Sequence, residues 1–413
     1  MNLWIVNHYS VPPSYGGGMV RHYYFAKYLE KKGHTVKIIT AGRFHNMDVN
    51  MIDDSKLYEE KAVDGIKYVF VKSSGYNGNG IKRILNLAGF PFAVKRTLKA
   101  LLKQEKPDII YASSPDIFVP FFAMKFGKKY NIPVIFEVRD LWPESIVVYN
   151  HMSKHNPIIV TLYAMEKWLY KNATKIIFTM PGGLDYVRDR CWEKTIDFSK
   201  IYNVNNGVDV EVYVYNKDNY HLKDPFLLDE EAFNIVYTGS IRKANGLEYL
   251  IDVACYLKKA GCDDIKFILY GTGNDKDRLE EYCKNNDINN VYFRGKVDNK
   301  FIPYILSKSK VNYMHGITTP LMKYGCSPNK LFDYIASGRP ILSDLDTPYD
   351  IVERNQLGRT VRSPKTQSIA EAIIEMKDNY KTFEENAKAN YKKVLKQYDY
   401  QFLTEQIERI LDI

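Results

Sequence analysis

Several short stretches of this 413-residue chain put charged or conformationally special residues where an anion or a hydroxyl group could be held. In SPNKLFDYIASGRP (327–340) a proline and an asparagine open a helical pattern, Lys330 stands at its entrance, and Asp333 lies one turn further in. Proline pre-sets the first turn, the N–H groups at that end attract an anion, and Lys330 adds a formal charge to them. Gly338 then marks the helix end before PILSD returns to a sheet. In TGSIRKANGLEYL (238–250) Arg242 and Lys243 follow a strand-like run, at the strand end where α/β sheets bind ligands. Arg offers a planar fork and Lys a point charge, a pair suited to a diphosphate, although a solvated basic turn reads the same way.

Other stretches carry weaker signals. Gly16, Gly17 and Gly18 precede an amphipathic pattern from Met19 to Lys32, so a backbone could approach a phosphate closely there. The spacing is not G-x-G-x-x-G and no acid ends the next strand, which argues against an ordinary dinucleotide site. Gly271 and Gly273 in YGTGND (270–275) are explained equally well by turn chemistry. VRDLWPES (138–145) brings Arg139, Asp140 and Glu144 to a strand end, where they meet substrate or brace the loop. Two D-x-D strings, Asp275-Lys276-Asp277 and Asp344-Leu345-Asp346, lack an evident third ligand, so no metal site is assigned.

The elements that must position these residues are short apolar runs alternating with helical stretches. Runs at 3–7, 35–40, 66–71, 108–113, 133–138 and 175–180 are followed by a second series at 234–240, 265–271, 291–295, 311–316, 340–344 and 359–363. Near-continuous runs of this kind suit parallel strands covered on both faces, so the fold class is α/β with two Rossmann-like domains in tandem. A patternless segment at 207–232 reads as the linker, which divides the chain into 1–206 and 207–392 and makes the cleft between the domains the expected ligand site. The last stretch, 393–413, carries one apolar helical face and is expected to pack back on the first domain.

Composition narrows the class further. With 45% hydrophobic and 26% charged residues the chain is an ordinary folded one, and at this length two cores are expected rather than one. Its 33 tyrosines sit largely in strand-like runs and read as packing. Five cysteines without metal-like spacing and no signal-peptide pattern favour a cytoplasmic location, and no apolar run reaches the roughly 18 residues of a membrane span. The net charge of +9 favours acidic partners. No base-stacking motif points to nucleic acid. From 76 to 106, seven basic residues face the single acid Glu105 amid apolar ones, a pattern that suits either peripheral contact with an anionic membrane or a solvated face.

Taken in order, GGGMVRHYYFAKYLEKKGHTVKIIT, PDIIYASSPD, EVRDLWPES, YNVNNGVD, YTGSIRKANGLEYL, YGTGND and SPNKLFDYIASGRP resemble the retaining glycosyltransferases of family 4, which have the two-domain GT-B fold. VRDLWPES and SPNKLFDYIASGRP are most similar to the subgroup that builds bacterial O-antigens and capsules, including enzymes like L-fucosamine transferases. That resemblance implies a UDP-linked N-acetylated amino sugar as donor, a glycan or lipid-linked glycan as acceptor, and no cofactor or metal.

The resemblance also implies site residues. Arg242, Lys243 and Lys330 would stabilise the diphosphate, with Asp140 a fourth catalytic candidate. Donor contacts would come from Gly17, Gly18, Gly239, Ser240, Gly271, Gly273, Ser327, Pro328, Asn329, Leu331 and Asp333, the last at the ribose. Arg139 and Glu144 would lie on the acceptor side, where the family often has a histidine. The family's E-x7-E pattern would place its first acid at Gly325, and its usual K-G is Asn245-Gly246 here. Two competing readings are a UDP-sugar 2-epimerase of the same architecture, for which the eight histidines form no evident set with acids, and a non-enzymatic nucleotide-sugar binding protein.

Overall fold

A computed structural model of the chain describes residues 1–16, 19–44, 49–74 and 81–411, and all side chains among them except those of 81–85 and 88. Gly17 and Gly18 therefore lie outside the described residues, as do 76–80 of the basic segment. The chain forms two compact units, Met1–Asn205 with Tyr400–Ile413, and Asn206–Asp399.

The first unit has an eight-stranded sheet ordered β3-β4-β2-β1-β5-β6-β7-β8. The strands are β1 Asn2–Asn7, β2 Thr35–Ala41, β3 Tyr58–Val63, β4 Ile66–Val71, β5 Ile109–Ser113, β6 Val134–Val138, β7 Lys175–Phe178 and β8 Ile201–Asn203. All neighbours are parallel except β3 and β4, which form a hairpin through Asp64 and Gly65. The six apolar runs appear as strands, whereas β3 and β8 escape the sequence pattern. Both edge strands, YEEKAV and IYN, are largely solvated and never form a continuous apolar run.

The second unit has a six-stranded, all-parallel sheet ordered β11-β10-β9-β12-β13-β14. Its strands are β9 Phe233–Thr238, β10 Ile265–Tyr270, β11 Val291–Gly295, β12 Val311–Met314, β13 Ile341–Ser343 and β14 Gly358–Thr360. Every residue of β9 is buried. Phe233, Ile235 and Tyr237 join one core cluster and Val236 joins another, which is why the run reads as unbroken hydrophobicity rather than alternation.

Two boundaries differ from the sequence expectation. The segment read as a linker contains a helix, Val210–Asn219, capped by Asp209, whose carboxylate accepts from the Val212 N–H at 3.0 Å. Its β-branched residues disguise a helix that tertiary packing imposes. The helix Tyr380–Leu395 and the turn to Asp399 stay with the second unit, so the return to the first comes at Tyr400 rather than 393. The helix Tyr400–Leu411 then buries Leu403, Ile407, Ile410 and Leu411 in the first core.

The loops after β9 and β10 touch through their backbones. The Gly239 N–H donates to the Tyr270 carbonyl and the Ile241 N–H to the Thr272 carbonyl, each at 2.9 Å. A Cβ on Gly271, where φ is +157°, would lie 1.7 Å from the Gly239 carbonyl oxygen. Gly271→Ala should therefore cost roughly 2–3 kcal/mol or more by forcing backbone apart, read as a lower denaturation midpoint of the second unit. An unchanged midpoint would show that the two loops are free to separate.

Candidate active site

The helix Asn329–Ser337 begins where the sequence places it. Pro328 is the residue before its first turn, with φ −72° and ψ 131°. Ser327 anchors this entrance: its Oγ accepts from the Asn206 N–H at 2.8 Å, and its carbonyl accepts from the Asn206 amide at 2.6 Å. Leu331 is different from its neighbours, because its side chain is buried in the core and its N–H donates to the Pro328 carbonyl at 3.1 Å. Leu331, expected from the sequence among the donor contacts, thus packs its side chain into the core.

Lys330 leans across the end of the sheet. Its Nζ lies 3.2 Å from Tyr237 Oη and 3.4 Å from the His315 carbonyl oxygen, and 4.2 Å from the centre of the Tyr237 ring. Burial, opposed in part by Asp344, pulls its ammonium down to about 8. One turn on, Asp333 has no hydrogen-bond or ion-pair partner among the described residues, and burial pushes its carboxyl up to about 7. A half-buried carboxylate left in this condition is costly unless a ligand supplies donors. Tyr334 fixes the helix to β9, accepting from the Thr238 N–H at 3.0 Å.

The basic loop is held by His315, which the sequence reading did not single out, and by Asp344, which it considered only as a metal ligand. His315, just after β12, has Nδ1 2.5 Å from Asp344 Oδ2 and Nε2 3.1 Å from the Gly246 carbonyl. Asp344 also accepts from Tyr313 Oη at 2.9 Å and from the Gly316 N–H at 3.0 Å. The Asn245 amide donates to the Ser240 carbonyl at 2.6 Å and to Ser240 Oγ at 3.0 Å. Asn245-Gly246 thus shapes the turn, its N–H groups donating to the Arg242 and Lys243 carbonyls, and the side chains of Arg242 and Lys243 stand exposed on it without a hydrogen-bond or ion-pair partner among the described residues. The only hint in the sequence was a histidine at the C-terminal end of a strand, VNYMHG; its partners lie 29 and 69 residues away.

Gly325 stands where the resemblance would place an acid, and its backbone disfavours one. It sits at φ +79° and closes the 3-10 turn Pro320–Tyr324, donating to the Met322 carbonyl at 2.9 Å. An L-carboxylate there would be strained. Gly273 resembles Gly271: a Cβ would lie 2.0 Å from the Ile241 carbonyl oxygen, so both glycines are required by loop packing. Of the D-x-D acids, Asp344 braces His315 and Asp275 is paired with Arg278 at 2.8 Å.

In the first unit Arg139 and Asp140 follow β6. The Arg139 N–H donates to Ser114 Oγ at 2.8 Å, and Asp140 is exposed. Glu144, placed on the acceptor side from sequence, is instead occupied by Lys154 at 2.8 Å, Arg190 at 3.7 Å and the Tyr163 hydroxyl. Burial alone would raise its carboxyl, but Lys154 and Tyr163 outweigh burial and hold it below the usual range. Its position braces the helices Glu144–Tyr149 and Pro157–Asn172.

Just inside β6, Glu137 is fully buried. It accepts from Arg21 Nε at 2.7 Å, His22 Nε2 at 2.9 Å, and the Tyr111 and Ser113 hydroxyls at 2.6 Å. Burial would raise this carboxyl, yet Arg21 and His22 hold it well below the usual range. Arg21 also donates to the carbonyls of Val204, at 2.8 Å, and Asn205. At the end of β1, His8 pairs with Asp116 at 3.1 Å and stacks on Phe90, with ring centres 4.1 Å apart.

Two parallel-sheet units of this construction define the GT-B fold. The fold agrees with solved structures over essentially the whole chain. Sucrose-phosphate synthase from Thermosynechococcus elongatus matches with a TM-score of 0.74 at 14% identity, covering 99% of this chain and 98% of that one. Anabaena HepE in complex with UDP and glucose matches with a TM-score of 0.62 at 13% identity, covering 100% and 99%. Among curated proteins, an uncharacterised glycosyltransferase of Methanocaldococcus jannaschii is 25% identical over 245 residues, 56% of this chain and 59% of that relative's length. The model of Glycosyltransferase Family 4 matches residues 15–212, and that of Glycosyl transferases group 1 matches 232–379. The chain therefore has the GT-B fold, with its first part similar to Glycosyltransferase Family 4 and its second to Glycosyl transferases group 1.

Proposed function

We propose that the protein transfers a sugar from a UDP-sugar to a glycan or lipid-linked glycan, with retention at the anomeric carbon and without a metal. The observation that carries this reading is the constellation in the second unit. Lys330 stands at a helix entrance, Asp333 is unpartnered one turn on, and the loop bearing Arg242 and Lys243 is pinned beside them through His315 and Asp344. The HepE structure, whose description includes UDP and glucose, supports UDP as the nucleotide. The donor would be an N-acetylated amino sugar, the acceptor one used in bacterial surface polysaccharide synthesis, and the site of action the cytoplasmic face of the membrane.

In this mechanism the bond from the anomeric carbon to the β-phosphate oxygen breaks and a bond to the acceptor oxygen forms on the same face. The acceptor proton passes to the departing phosphate oxygen, so no protein base is required. Arg242, Lys243 and Lys330 stabilise the charge that develops on the diphosphate, aided by the N–H groups of Ser327, Asn329 and Lys330. Gly239 and Ser240 line the donor loop, and Asp333 accepts from the ribose hydroxyls. Arg139 and Asp140 in the first unit meet the acceptor, and Gly17 and Gly18 belong to the same reading.

The test is a panel of UDP-, GDP- and TDP-sugars scored by thermal shift and slow donor hydrolysis. UDP-sugars should stabilise the protein and be hydrolysed slowly without acceptor. Stabilisation by GDP-sugars alone would overturn the UDP assignment. Conversion of UDP-GlcNAc to its 2-epimer would make the protein an epimerase, and binding without hydrolysis or transfer would make it a binding protein.

A further inference from the structure

Three neighbouring helices of the first unit, Ile81–Leu101, Phe118–Tyr130 and Pro157–Asn172, carry five, three and two Lys or Arg residues respectively. They carry a single acid, Glu166, which is buried and accepts from Tyr170 and Tyr186 at 2.8 and 2.9 Å. In a chain with 49 Asp and Glu residues, the outward surface of these helices is thus free of acids among the described residues.

A row of aromatic rings crosses the same face. Phe92 meets Phe122 with ring centres 4.9 Å apart, Phe122 meets Phe121 at 5.9 Å, and Phe121 meets Trp168 at 5.0 Å. Each of the last three rings has a lysine beside it: Lys95 at 5.6 Å from Phe122, Lys125 at 4.4 Å from Phe121, and Lys128 at 5.7 Å from Trp168. Phe92 is 57% exposed, and Ile158 and Val160 near the start of the third helix are 66% and 51% exposed. Aromatic side chains ringed by cations, with no acid to oppose them, are what an interfacial surface presents to anionic headgroups and the acyl boundary.

We infer that the face formed by Phe92, Phe122, Phe121 and Trp168 with Lys95, Lys125 and Lys128 docks on an anionic lipid bilayer. Among the described residues no helix is long and apolar enough to cross a membrane, and the contact inferred is a peripheral one. This moves the surface expected at 76–106 onto three helices, of which only the first belongs to that segment. The inference does not rest on the donor site and stands whether or not transfer is observed.

The test is cosedimentation of the full chain with vesicles of phosphatidylcholine containing about 30% phosphatidylglycerol, against phosphatidylcholine alone. Wild type should pellet with the anionic vesicles at low salt and be released at about 0.5 M salt. The triple variant K95E/K125E/K128E should lose about a hundredfold or more in partitioning, at about fivefold per basic residue. F92S, which changes no charge, should weaken binding further at a given salt concentration. Wild-type protein left in the supernatant with anionic vesicles at low salt would overturn the inference, as would equal pelleting of the triple variant. Binding to dextran sulfate without vesicle binding would also overturn it, assigning the face to an acidic polymer.

Discussion

Lys330→Ala is expected to reduce donor turnover by about 10² to 10³, the size of effect seen when one preorganised charge-stabilising donor is removed. The argument rests on preorganisation. The side chain is already held between Tyr237 and the His315 carbonyl, 3.2 and 3.4 Å away, so no reorganisation is needed when charge develops on a departing diphosphate. Burial lowers its ammonium from the ordinary lysine value to about 8. The sign of the pH dependence follows: the cation is present below that value and is lost as pH rises through it. Wild-type turnover should therefore fall above about pH 8, and Lys330→Arg, which keeps its charge, should lose that particular decline even if its absolute rate is lower. Steady-state hydrolysis and transfer rates measured from pH 6 to 10 would decide it, at pH values spaced by about half a unit around the lysine value. Near-normal turnover in Lys330→Ala would remove this residue from the chemistry, and the same result in Arg242→Ala would sink the site as a whole.

Arg21→Ala should lower the stability of the first unit by about 3–5 kcal/mol, because it leaves Glu137 buried with its principal counter-charge gone. For a unit of this size that corresponds to a fall of about 10 °C or more in its thermal midpoint. His22 does not replace the arginine, since burial, only partly opposed by Glu137, lowers its own tendency to carry a proton. Adding Glu137→Gln to Arg21→Ala should recover much of the loss, whereas Glu137→Gln alone should be destabilising. The carboxyl is held below its usual range in the folded chain, so its contribution is complete above the unfolded glutamate value of about 4.3 and disappears as pH falls below it. Calorimetry of both variants at neutral pH is the measurement. A midpoint for Arg21→Ala within about 2 °C of wild type would mean that the unit relaxes to admit water at Glu137.

What the sequence determined by itself is what local geometry can express. Strand runs such as FNIVYT are legible because both faces of β9 are buried, so every residue must be apolar or, like Asn234, fully hydrogen-bonded. The entrance of the helix Asn329–Ser337 is legible because proline, the helix N-terminus and a following lysine act within one turn. Lys330, Arg242 and Lys243 stand out in this way, each from its distance to a strand end or helix end, whereas the expectation for Asp333 comes from the family resemblance.

The tertiary structure decided which of these groups are left available and which are consumed. Nothing local in VRDLWPES distinguishes Asp140, which is exposed, from Glu144, which is tied to Lys154 and Tyr163 on other segments. His315 and Asp344 form the support of the basic loop only because β12 and β13 lie side by side, and Gly271 must be glycine only because the next loop passes within bonding distance of where its Cβ would be. Arg21 and Glu137 meet across 116 residues for the same reason. Periodicity and capping are properties of a few consecutive residues and survive in one dimension. Charge compensation and backbone contact depend on which strands the fold brings together, and that pairing has no period to read.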